Sequence, residues 1–248
     1  MKKLIFYSAL LMILTVSCHK NPNDNDVIPT ENLVAYYPFN GNANDESGHL
    51  NNGTVHGATM TEDRFGNPNR AYYFDGINDF IEAQHSESLN IVGPITICVW
   101  IKTNISNAFG LGIVNKVEHT RTERDGYMAY VGFGTSTFGM NITNNWYITG
   151  GHNCDSKEII SDNKWHFCVA LYDRRNVKIY LDGILSNSNI CTQDMDSNNE
   201  SLLIGNDPNP SFISFFKGAI DDIRIYNTAL TEQEIEVLFK ENKTNDNY

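Results

Sequence analysis

The loop from Asn40 to Ser47 concentrates side chains that could bind a metal ion. Its sequence, NGNANDES, places Asn40, Asn42 and Asp45 within a few residues of one another. Calcium takes about six to eight oxygen ligands, often from carboxylates, amide side chains and carbonyls of one loop. The segment therefore predicts a structural calcium site. The alternative is a turn in which short polar side chains bond to the backbone.

Two further carboxylates interrupt an apolar stretch near the end of the chain. Asp221 and Asp222 lie within GAIDDIRIY, whose other residues indicate a β-strand. Successive side chains of a strand point to opposite faces, so one of the two is expected to point inward. A buried carboxylate is costly unless a cation or several hydrogen bonds compensate it. Asp221 and Asp222 are therefore predicted metal ligands as well.

Four aromatic residues between Phe109 and Tyr147 are candidates for sugar binding. This stretch is irregular and rich in glycine and asparagine, which is typical of loops. Exposed aromatic rings stack on the apolar faces of sugars, and amide side chains bond to the hydroxyl groups. The predicted ligand-binding residues are Tyr127, Tyr130, Trp146 and Tyr147. Trp146 is the strongest candidate because two asparagines precede it, although aromatic residues also pack in the cores of β-domains.

The start of the chain indicates an exported lipoprotein. Two lysines precede an apolar run from Leu4 to Val16, and Ser17 then leads to Cys18. This order is typical of a signal peptide, and the run is too short to span a membrane. The arrangement resembles a bacterial lipobox, so residues 1–17 are predicted to be removed and Cys18 to carry lipid. The alternative is an ordinary signal peptide with an incidental cysteine.

The remaining cysteines are Cys98, Cys154, Cys168 and Cys191. An even number of cysteines in an exported chain indicates disulfides, and more than one pairing is open. The alternative is that these residues are buried thiols, because cysteine packs well as a small apolar side chain.

From Leu33 onwards the chain alternates with a period of two and is punctuated by Gly, Asn and Asp. This pattern predicts an all-β, antiparallel sandwich. The predicted strands are Leu33–Phe39, Ala71–Phe74, Asp79–Ala83, Ile95–Lys102, Lys164–Tyr172, Asn176–Leu181, Ser201–Ile204 and Ala219–Tyr226. A capping box of Thr231 and Glu234, followed by apolar residues at helical spacing, predicts one short helix at the end.

The strand KWHFCVALYD has two mostly apolar faces, which predicts a central position in its sheet. Trp165, Phe167, Val169 and Leu171 share one face, and His166, Cys168, Ala170 and Tyr172 share the other. His166 is expected to be packed and hydrogen-bonded, with a ligand or catalytic role as the alternative.

The domain organisation follows from composition. Residues 18–31 are polar and contain two prolines, which predicts a flexible tether. Residues 32–240 form one predicted domain, and residues 241–248 a polar tail. The formal net charge of −12 argues against nucleic acid as a partner, because binding phosphates needs a basic face.

Six segments resemble, in order, those of the laminin-G-like jelly-roll family. They are LVAYYPFNGNANDESG, AYYFDGINDFIEA, ITICVWIKT, KWHFCVALYDRRNVKIYLDG, SLLIGN and GAIDDIRIYNTALTEQEI. That family belongs with the concanavalin-like lectins and glucanases and is related to the pentraxins. The resemblance covers about Asn32 to Phe239 and implies a concanavalin A-like jelly roll.

The resemblance also implies a disulfide pairing and a calcium position. A pentraxin-like bridge would join Cys98 to Cys168 and leave Cys154 and Cys191 for a second bridge. A structural calcium in related domains often ties the first loop to the last strand, where Asp222 matches a pentraxin aspartate. Asp207 falls at the pentraxin calcium-binding loop, but two prolines interrupt that loop here.

The resemblance does not imply catalysis by this chain. Related glucanases carry Glu-x-Asp-x-x-Glu on one strand, and the nearest match, beginning at Glu123, lacks the final Glu and is expected to be a loop. No catalytic residues are predicted. The predicted function is a lipid-anchored protein of the bacterial outer membrane or cell surface that binds carbohydrate without cleaving it. A protein-interaction or adhesion module is one alternative, and a glycoside hydrolase of the concanavalin-like type is another.

Overall fold

A computed structural model describes residues 27–106, 110–119, 125–132, 135–143, 152–191, 195–209 and 214–241. The strands are β1 (Leu33–Tyr37), β2 (Gly53–His56), β3 (Thr59–Thr61), β4 (Ala71–Asp75), β5 (Phe80–Ala83), β6 (Ile95–Lys102), β7 (Leu111–Val117), β8 (Gly126–Val131), β9 (Thr137–Thr143), β10 (His152–Ile159), β11 (Trp165–Tyr172), β12 (Asn176–Leu181), β13 (Ile184–Ile190), β14 (Leu202–Ile204), β15 (Asn206–Asp207), β16 (Ser214–Phe215) and β17 (Lys217–Tyr226). A single turn of 3₁₀-helix spans Glu87–Leu89, and helix α1 spans Glu232–Lys240.

The strands form two antiparallel sheets and one small ribbon. The eight-stranded sheet has the order β13-β12-β11-β6-β17-β4-β3, and β1 pairs with the second half of β17. The seven-stranded sheet has the order β10-β9-β8-β7-β14-β5-β2, and β15 pairs with β16. The predicted all-β sandwich with a short C-terminal helix is confirmed.

The hydrophobic core lies between the two sheets because each strand directs alternate residues inward. On β6, Ile97, Val99 and Ile101 enter this core. Phe138 and Met140 of β9 meet them from the other sheet. Cys98 and Trp100 of β6 point the other way, to what we call the outer face of the eight-stranded sheet, which is directed away from the seven-stranded sheet.

Helix α1 covers one end of that outer face. Thr231 caps it, accepting a hydrogen bond from the Glu234 backbone N–H, and the Glu234 carboxylate accepts one from the Thr231 N–H, as the capping box predicts. Ile235 and Leu238 of the helix pack with Phe167 of β11 in a second apolar cluster. No helix within the described ranges is long and apolar enough to cross a membrane.

The predicted strands all occur, with ends that differ by a few residues, and those at Ile95–Lys102 and Asn176–Leu181 match fully. The expectation of irregular structure between Phe109 and Tyr147 is wrong, because β7, β8 and β9 lie there. Gly126, in the segment beginning at Glu123 that was expected to be a loop, begins β8 with φ +122°. Because both faces of β7 and β8 are buried, their sequences lack the alternation that identifies a half-exposed strand.

The edges of the two sheets meet at β10 and β13, where side chains of β13 bond to the backbone of β10. Asn187 Nδ2 donates to the carbonyl of Asp155 at 2.8 Å, and Asn189 Nδ2 donates to the carbonyl of Asn153 at 2.8 Å. The hydroxyl of Ser186 accepts from the N–H of Lys157 at 2.9 Å. We call these three contacts the amide seam.

Candidate functional site

The outer face of the eight-stranded sheet opens into a cleft of about 500 Å³ at the end away from helix α1. We call it the aromatic cleft and define it by Tyr73, Lys102, Trp165, Lys217 and Ala219. Its residues come from four strands that are distant in sequence but adjacent in the sheet, so the fold, and no single motif, assembles this site.

Four of these side chains form one row across the sheet. Tyr73 of β4 pairs with Ala219 of β17, Ala219 pairs with Lys102 of β6, and Lys102 pairs with Trp165 of β11. Directly paired residues project to the same face, and neighbouring strands lie about 4.8 Å apart. Tyr73 and Trp165 are three strand spacings apart, so their backbones are separated by about 14 Å.

The row has aromatic ends and a low centre. Tyr73 is 38% exposed and Trp165 is partly exposed, whereas the small side chain of Ala219 is buried between them. Gly218, with φ +147°, lets the backbones of β17 and β6 approach closely, because a Cβ there would lie 2.4 Å from the carbonyl oxygen of Lys102. Two rings flanking a depression can stack on an extended chain of sugar rings, which present apolar faces.

The rim of the cleft supplies polar groups on a fixed backbone. Thr103 Oγ1 donates to the carbonyl of Lys217 at 2.8 Å, and the N–H of Asn163 donates to the carbonyl of Thr103 at 2.9 Å. These bonds join the ends of β6 and β17 to the turn before β11. They leave the exposed side chains of Asn104 and Asn163 facing the cleft, where amides can bond to hydroxyl groups.

A buried ion cluster lies beside the cleft. Arg64 Nη1 donates to Asp221 Oδ2 at 2.8 Å, and Nη2 donates to Asp222 Oδ2 at 3.1 Å. The guanidinium carbon lies 4.6 Å from the ring centre of Phe65 and 4.7 Å from that of Trp100. All three charged side chains are at most 3% exposed.

The expectation that only one of Asp221 and Asp222 points inward is wrong. The register between β17 and β6 shifts after Asp221, and Asp222 has φ +51°. This bulge breaks the strand alternation, so that both carboxylates reach Arg64. The cation that compensates them is thus a guanidinium, where the sequence had suggested calcium.

The loop from Asn40 to Ser47 adopts the hydrogen-bonded turn that was the alternative to a metal site. Asp45 Oδ1 accepts from the N–H groups of Tyr36 and Ser47 at 2.8 and 2.9 Å. Asp45 Oδ2 accepts from the Asn51 N–H and the Ser47 hydroxyl, each at 2.9 Å.

The amide-bearing residues of that loop are at the surface. Asn42 Oδ1 accepts from the N–H of Asn44 at 2.8 Å, and Asn40 is exposed. Among the described residues there is no group of three or more His, Cys, Asp or Glu placed to hold a metal. Calcium binding stays a prediction, and a rise in melting temperature with excess calcium would support it.

Two of the four predicted sugar-binding aromatics are core residues. Tyr127 is 1% exposed, and its hydroxyl donates to the carbonyl of Leu89 at 2.9 Å. Tyr130 is fully buried and donates to Asp155 Oδ1 at 2.9 Å. Burial raises the pKa of both phenols. Neither ring can stack on a sugar, so these two assignments are wrong, while Trp146 and Tyr147 lie outside the described residues.

The predicted bridge between Cys98 and Cys168 is not present, because the two side chains point to opposite faces of the sheet. Cys98 pairs with Val169, and Cys168 pairs with Val99, so the cysteines are offset by one residue in register. Cys98 lies under helix α1, whereas Cys168 enters the central core. Burial raises the pKa of both thiols.

Cys154 and Cys191 both enter the central core but are not bridged in the structure. Their pairing stays a prediction. Cys18 lies outside the described residues, as do the predicted signal peptide and the residues from 242 onwards.

His166 is hydrogen-bonded, as expected. Its Nδ1 lies 2.9 Å from Asp182 Oδ2, and its Nε2 lies 3.1 Å from Asp162 Oδ1. Burial lowers the pKa of His166, but the bonds to the two carboxylates outweigh it and leave the pKa raised above 6.5. Asp182 also accepts from the Phe167 N–H at 2.9 Å. This cluster therefore joins the turn before β11 to the turn after β12.

Asp207, placed by the resemblance in a calcium-binding loop, is also engaged by protein groups. Its Oδ1 accepts from Asn115 Nδ2 at 3.1 Å and lies 2.9 Å from Nε2 of His119. All three side chains are buried on the outward side of the seven-stranded sheet.

Sequence reasoning missed the aromatic cleft. Trp165 was placed on the correct face of its strand, yet it was not recognised as a residue that lines this cleft. One signal was available: Trp165 begins its strand directly after the polar residues Asp162, Asn163 and Lys164, which indicates a position near the sheet's rim. No sequence signal places Tyr73 in the same row.

Residues 74–236 match the family model described as the concanavalin A-like lectin/glucanases superfamily, Laminin_G_3. The chain therefore belongs to this family. A search of curated proteins found no match.

Three solved structures illustrate the similarity in fold. The binding domain of Paraclostridial Mosquitocidal Protein 1 is 19% identical with a TM-score of 0.69, and the match covers 85% of this chain and 52% of that chain. Domain 4 of AbnA, a GH43 extracellular arabinanase from Geobacillus stearothermophilus in complex with arabinotriose, is 18% identical with a TM-score of 0.65, covering 84% and 98%. The binding domain of botulinum neurotoxin DC in complex with rat synaptotagmin II is 16% identical with a TM-score of 0.65, covering 85% and 51%.

At identities of 16–19%, the similarity to these structures shows the fold alone. The chain spans about half the length of the two toxin binding domains and nearly all of the arabinanase domain.

Proposed function

We propose that this protein is a non-catalytic carbohydrate-binding module whose ligand lies in the aromatic cleft. The observation that carries the proposal is the row of Tyr73, Ala219, Lys102 and Trp165, in which two partly exposed rings flank a low centre. Its backbone span of about 14 Å suits several linked sugar rings better than one.

The comparison with the arabinanase domain supports a sugar as the ligand. That domain is in complex with arabinotriose and matches this chain over almost its whole length. We also propose that the chain is exported and held at the bacterial surface by lipid on Cys18, as its first residues predict. Several anchored copies would bind a polysaccharide together, so a modest affinity at each cleft would suffice.

The test is a glycan array followed by calorimetry with the best ligand, using Trp165→Ala and Tyr73→Ala. Each substitution removes one stacking ring, and stacking contacts of this kind contribute about 1–2 kcal/mol, so each should weaken binding about tenfold. The matched control is Ile184→Ala, which truncates an apolar side chain that is 74% exposed on the far edge of the same sheet. Unchanged affinity in both aromatic variants would refute binding at this cleft.

A protein partner is the second candidate, and one observation favours it. Ile184, Leu185 and Ile190 of the edge strand β13 are 74%, 44% and 80% exposed. Exposed apolar side chains on one strand are a common feature of protein-binding surfaces. Binding to extracellular proteins that Ile184→Ala abolishes, with an array on which no glycan binds, would replace the carbohydrate proposal. Release of reducing sugar from a bound polysaccharide would instead revive the hydrolase alternative.

A further inference from the structure

We infer that the aromatic cleft selects glycans carrying an anionic group, a carboxylate or a sulfate, and that Lys102 binds this group at the centre of the site. The inference rests on the proposed function and adds the class of sugar to it.

The position of Lys102 carries the argument. In the row across the sheet it stands between Ala219 and Trp165, with Tyr73 beyond Ala219. A sugar chain stacked on both rings must pass over this lysine. The side chain is partly buried by its neighbours, so its ammonium group is held close to the floor.

A second lysine adds to the positive charge of the cleft. Lys217 lies two residues before Ala219 on β17, and alternation places it on the same face. Its side chain is exposed and lines the cleft. The two ammonium groups can therefore approach one ligand from the centre and from the end of the row.

Neither lysine forms an ion pair with any residue within the described ranges. Within the described ranges Lys164 and Lys178 each lie 2.9 Å from an aspartate, whereas Lys102 and Lys217 share one cleft without such a contact. The sequence has 30 acidic and 18 basic side chains, so carboxylate partners are abundant. Two lysines without an acidic partner in one cleft leave positive charge for a ligand to neutralise.

The acidic residues near the cleft form no ion pair with these lysines. Asp75, which pairs with Lys217 across β4 and β17, accepts instead from the Ile77 N–H at 2.7 Å. Asp63 is buried and accepts hydrogen bonds from the N–H groups of Phe65 and Asn67, each at 2.8 Å, and from the Asn67 side chain. The carboxylate of Asp63 is thus satisfied by hydrogen bonds within its own loop. Glu62 is exposed at the rim, where water screens it.

An ammonium group in a partly enclosed cleft forms stronger hydrogen bonds to an anion than to a hydroxyl group. The charge-assisted bond should favour an anionic glycan over a neutral one of the same shape by about tenfold to a hundredfold. The preference should weaken as salt is raised, because ions screen a charge that is open to solvent.

The experiment compares ligands that share a sugar backbone and differ in charge. Galacturonate oligomers are measured against their fully methyl-esterified forms, which tests carboxylate, and carrageenan oligomers against their desulfated forms, which tests sulfate. Binding is measured by calorimetry at low and high salt. The variants are Lys102→Gln and, as a matched control, Lys157→Gln, which removes an exposed lysine from β10.

We expect the unmodified protein to bind at least one anionic oligomer about tenfold or more tightly than its neutral counterpart. Lys102→Gln should remove this preference while binding of the neutral oligomer persists, and Lys157→Gln should retain it. Lys217→Gln should reduce the preference partly. Melting curves of each variant establish that it is folded.

Four results would overturn the inference. Equal binding of charged and neutral oligomers by the unmodified protein would show that the cleft does not select charge. A preference that survives Lys102→Gln would place recognition elsewhere. Binding of neutral glycans alone, weakened in Trp165→Ala, would refute the selection of anionic glycans and leave the proposed function intact. No binding of any glycan would refute both.

Discussion

The two ends of the outer face of the eight-stranded sheet carry similar aromatic residues in different surroundings. At the covered end, Trp100 and Phe167 lie side by side on β6 and β11, with ring centres 5.3 Å apart. Phe239 of helix α1 stacks on Trp100 at 5.9 Å and on Phe167 at 6.0 Å. At the open end, two residues away on the same strands, no ring of the described residues stacks on Trp165, and Lys102 and Trp165 line the cleft.

The difference shows that the element packed above an aromatic residue of a sheet decides whether its ring joins an apolar core or stays accessible to a ligand. Helix α1 converts one pair of rings into a second apolar core. The loop that carries Arg64 ends this cover, because its guanidinium lies over Trp100 and is held there by Asp221 and Asp222. Beyond it the same face is available to a ligand.

Removal of the Arg64 charge, which lies between the covered end and the open end, should have the largest effect on stability. Arg64→Met removes the guanidinium that contacts both Asp221 and Asp222 and leaves Asp222 with Arg224, 3.4 Å away, and breaking a buried ion pair costs about 3–5 kcal/mol. We expect urea denaturation to show a loss of this size in the free energy of unfolding. Arg175→Met, which removes an exposed arginine from the turn before β12, is the control and should change little. A similar small change in both variants would mean that the cluster contributes little to stability.

Truncation at the covered end should lower stability and leave binding unchanged. Phe239→Ala removes a ring that stacks on two others, and because the ring is only partly buried we expect a loss of about 2 kcal/mol in the free energy of unfolding. Cys98, which lies beneath the helix, should also react faster with a thiol reagent in this variant. An unchanged rate would indicate that α1 stays docked without Phe239.

Truncation at the open end should do the reverse. Trp165→Ala removes a partly exposed ring that lines the cleft, so the free energy of unfolding should fall by less than about 1 kcal/mol while glycan binding weakens about tenfold. The measurement is urea denaturation beside calorimetry. A loss as large as that of Phe239→Ala would contradict the division of the face into covered and open ends.

The smallest expected effect is a dependence on pH at the turn that leads into Trp165. The folded state holds the proton of His166 above the ordinary pKa of 6.5, so the stabilisation is complete below pH 6.5 and is lost as the pH rises through the folded pKa. We expect a decline of about 0.5 kcal/mol or less between pH 6 and 8, since water screens part of the site. NMR titration of His166 gives its pKa, and His166→Gln should abolish the decline.

Much of the fold could be predicted because a strand or a helix depends mainly on the pattern of residues within its own segment. The strand Ile95–Lys102 alternates clearly, and Thr231 with Glu234 gives the helix start directly. Strands β7 to β9 were missed because both faces of β7 and β8 are buried and their residues do not alternate in polarity. Apolar residues on both faces carry no period for the sequence to show.

The site could not be predicted because it depends on register between distant strands. A shift of one residue moves a side chain to the other face, which is why the resemblance placed Cys98 and Cys168 together although they lie on opposite faces. The same register brings Tyr73 and Trp165 into one row. The bulge at Asp222 likewise has no sequence signal, since it requires a positive φ at a residue other than glycine.

The amide seam has a consequence for how many copies of this protein can be crowded together. The outward carbonyls of an edge strand are the groups through which β-proteins add strands from other chains and polymerise. In β10 those of Asn153 and Asp155 already accept from Asn189 and Asn187. We therefore expect these two side-chain amides to hinder polymerisation at this edge. The effect should persist at high salt, where ions screen the repulsion between negatively charged copies.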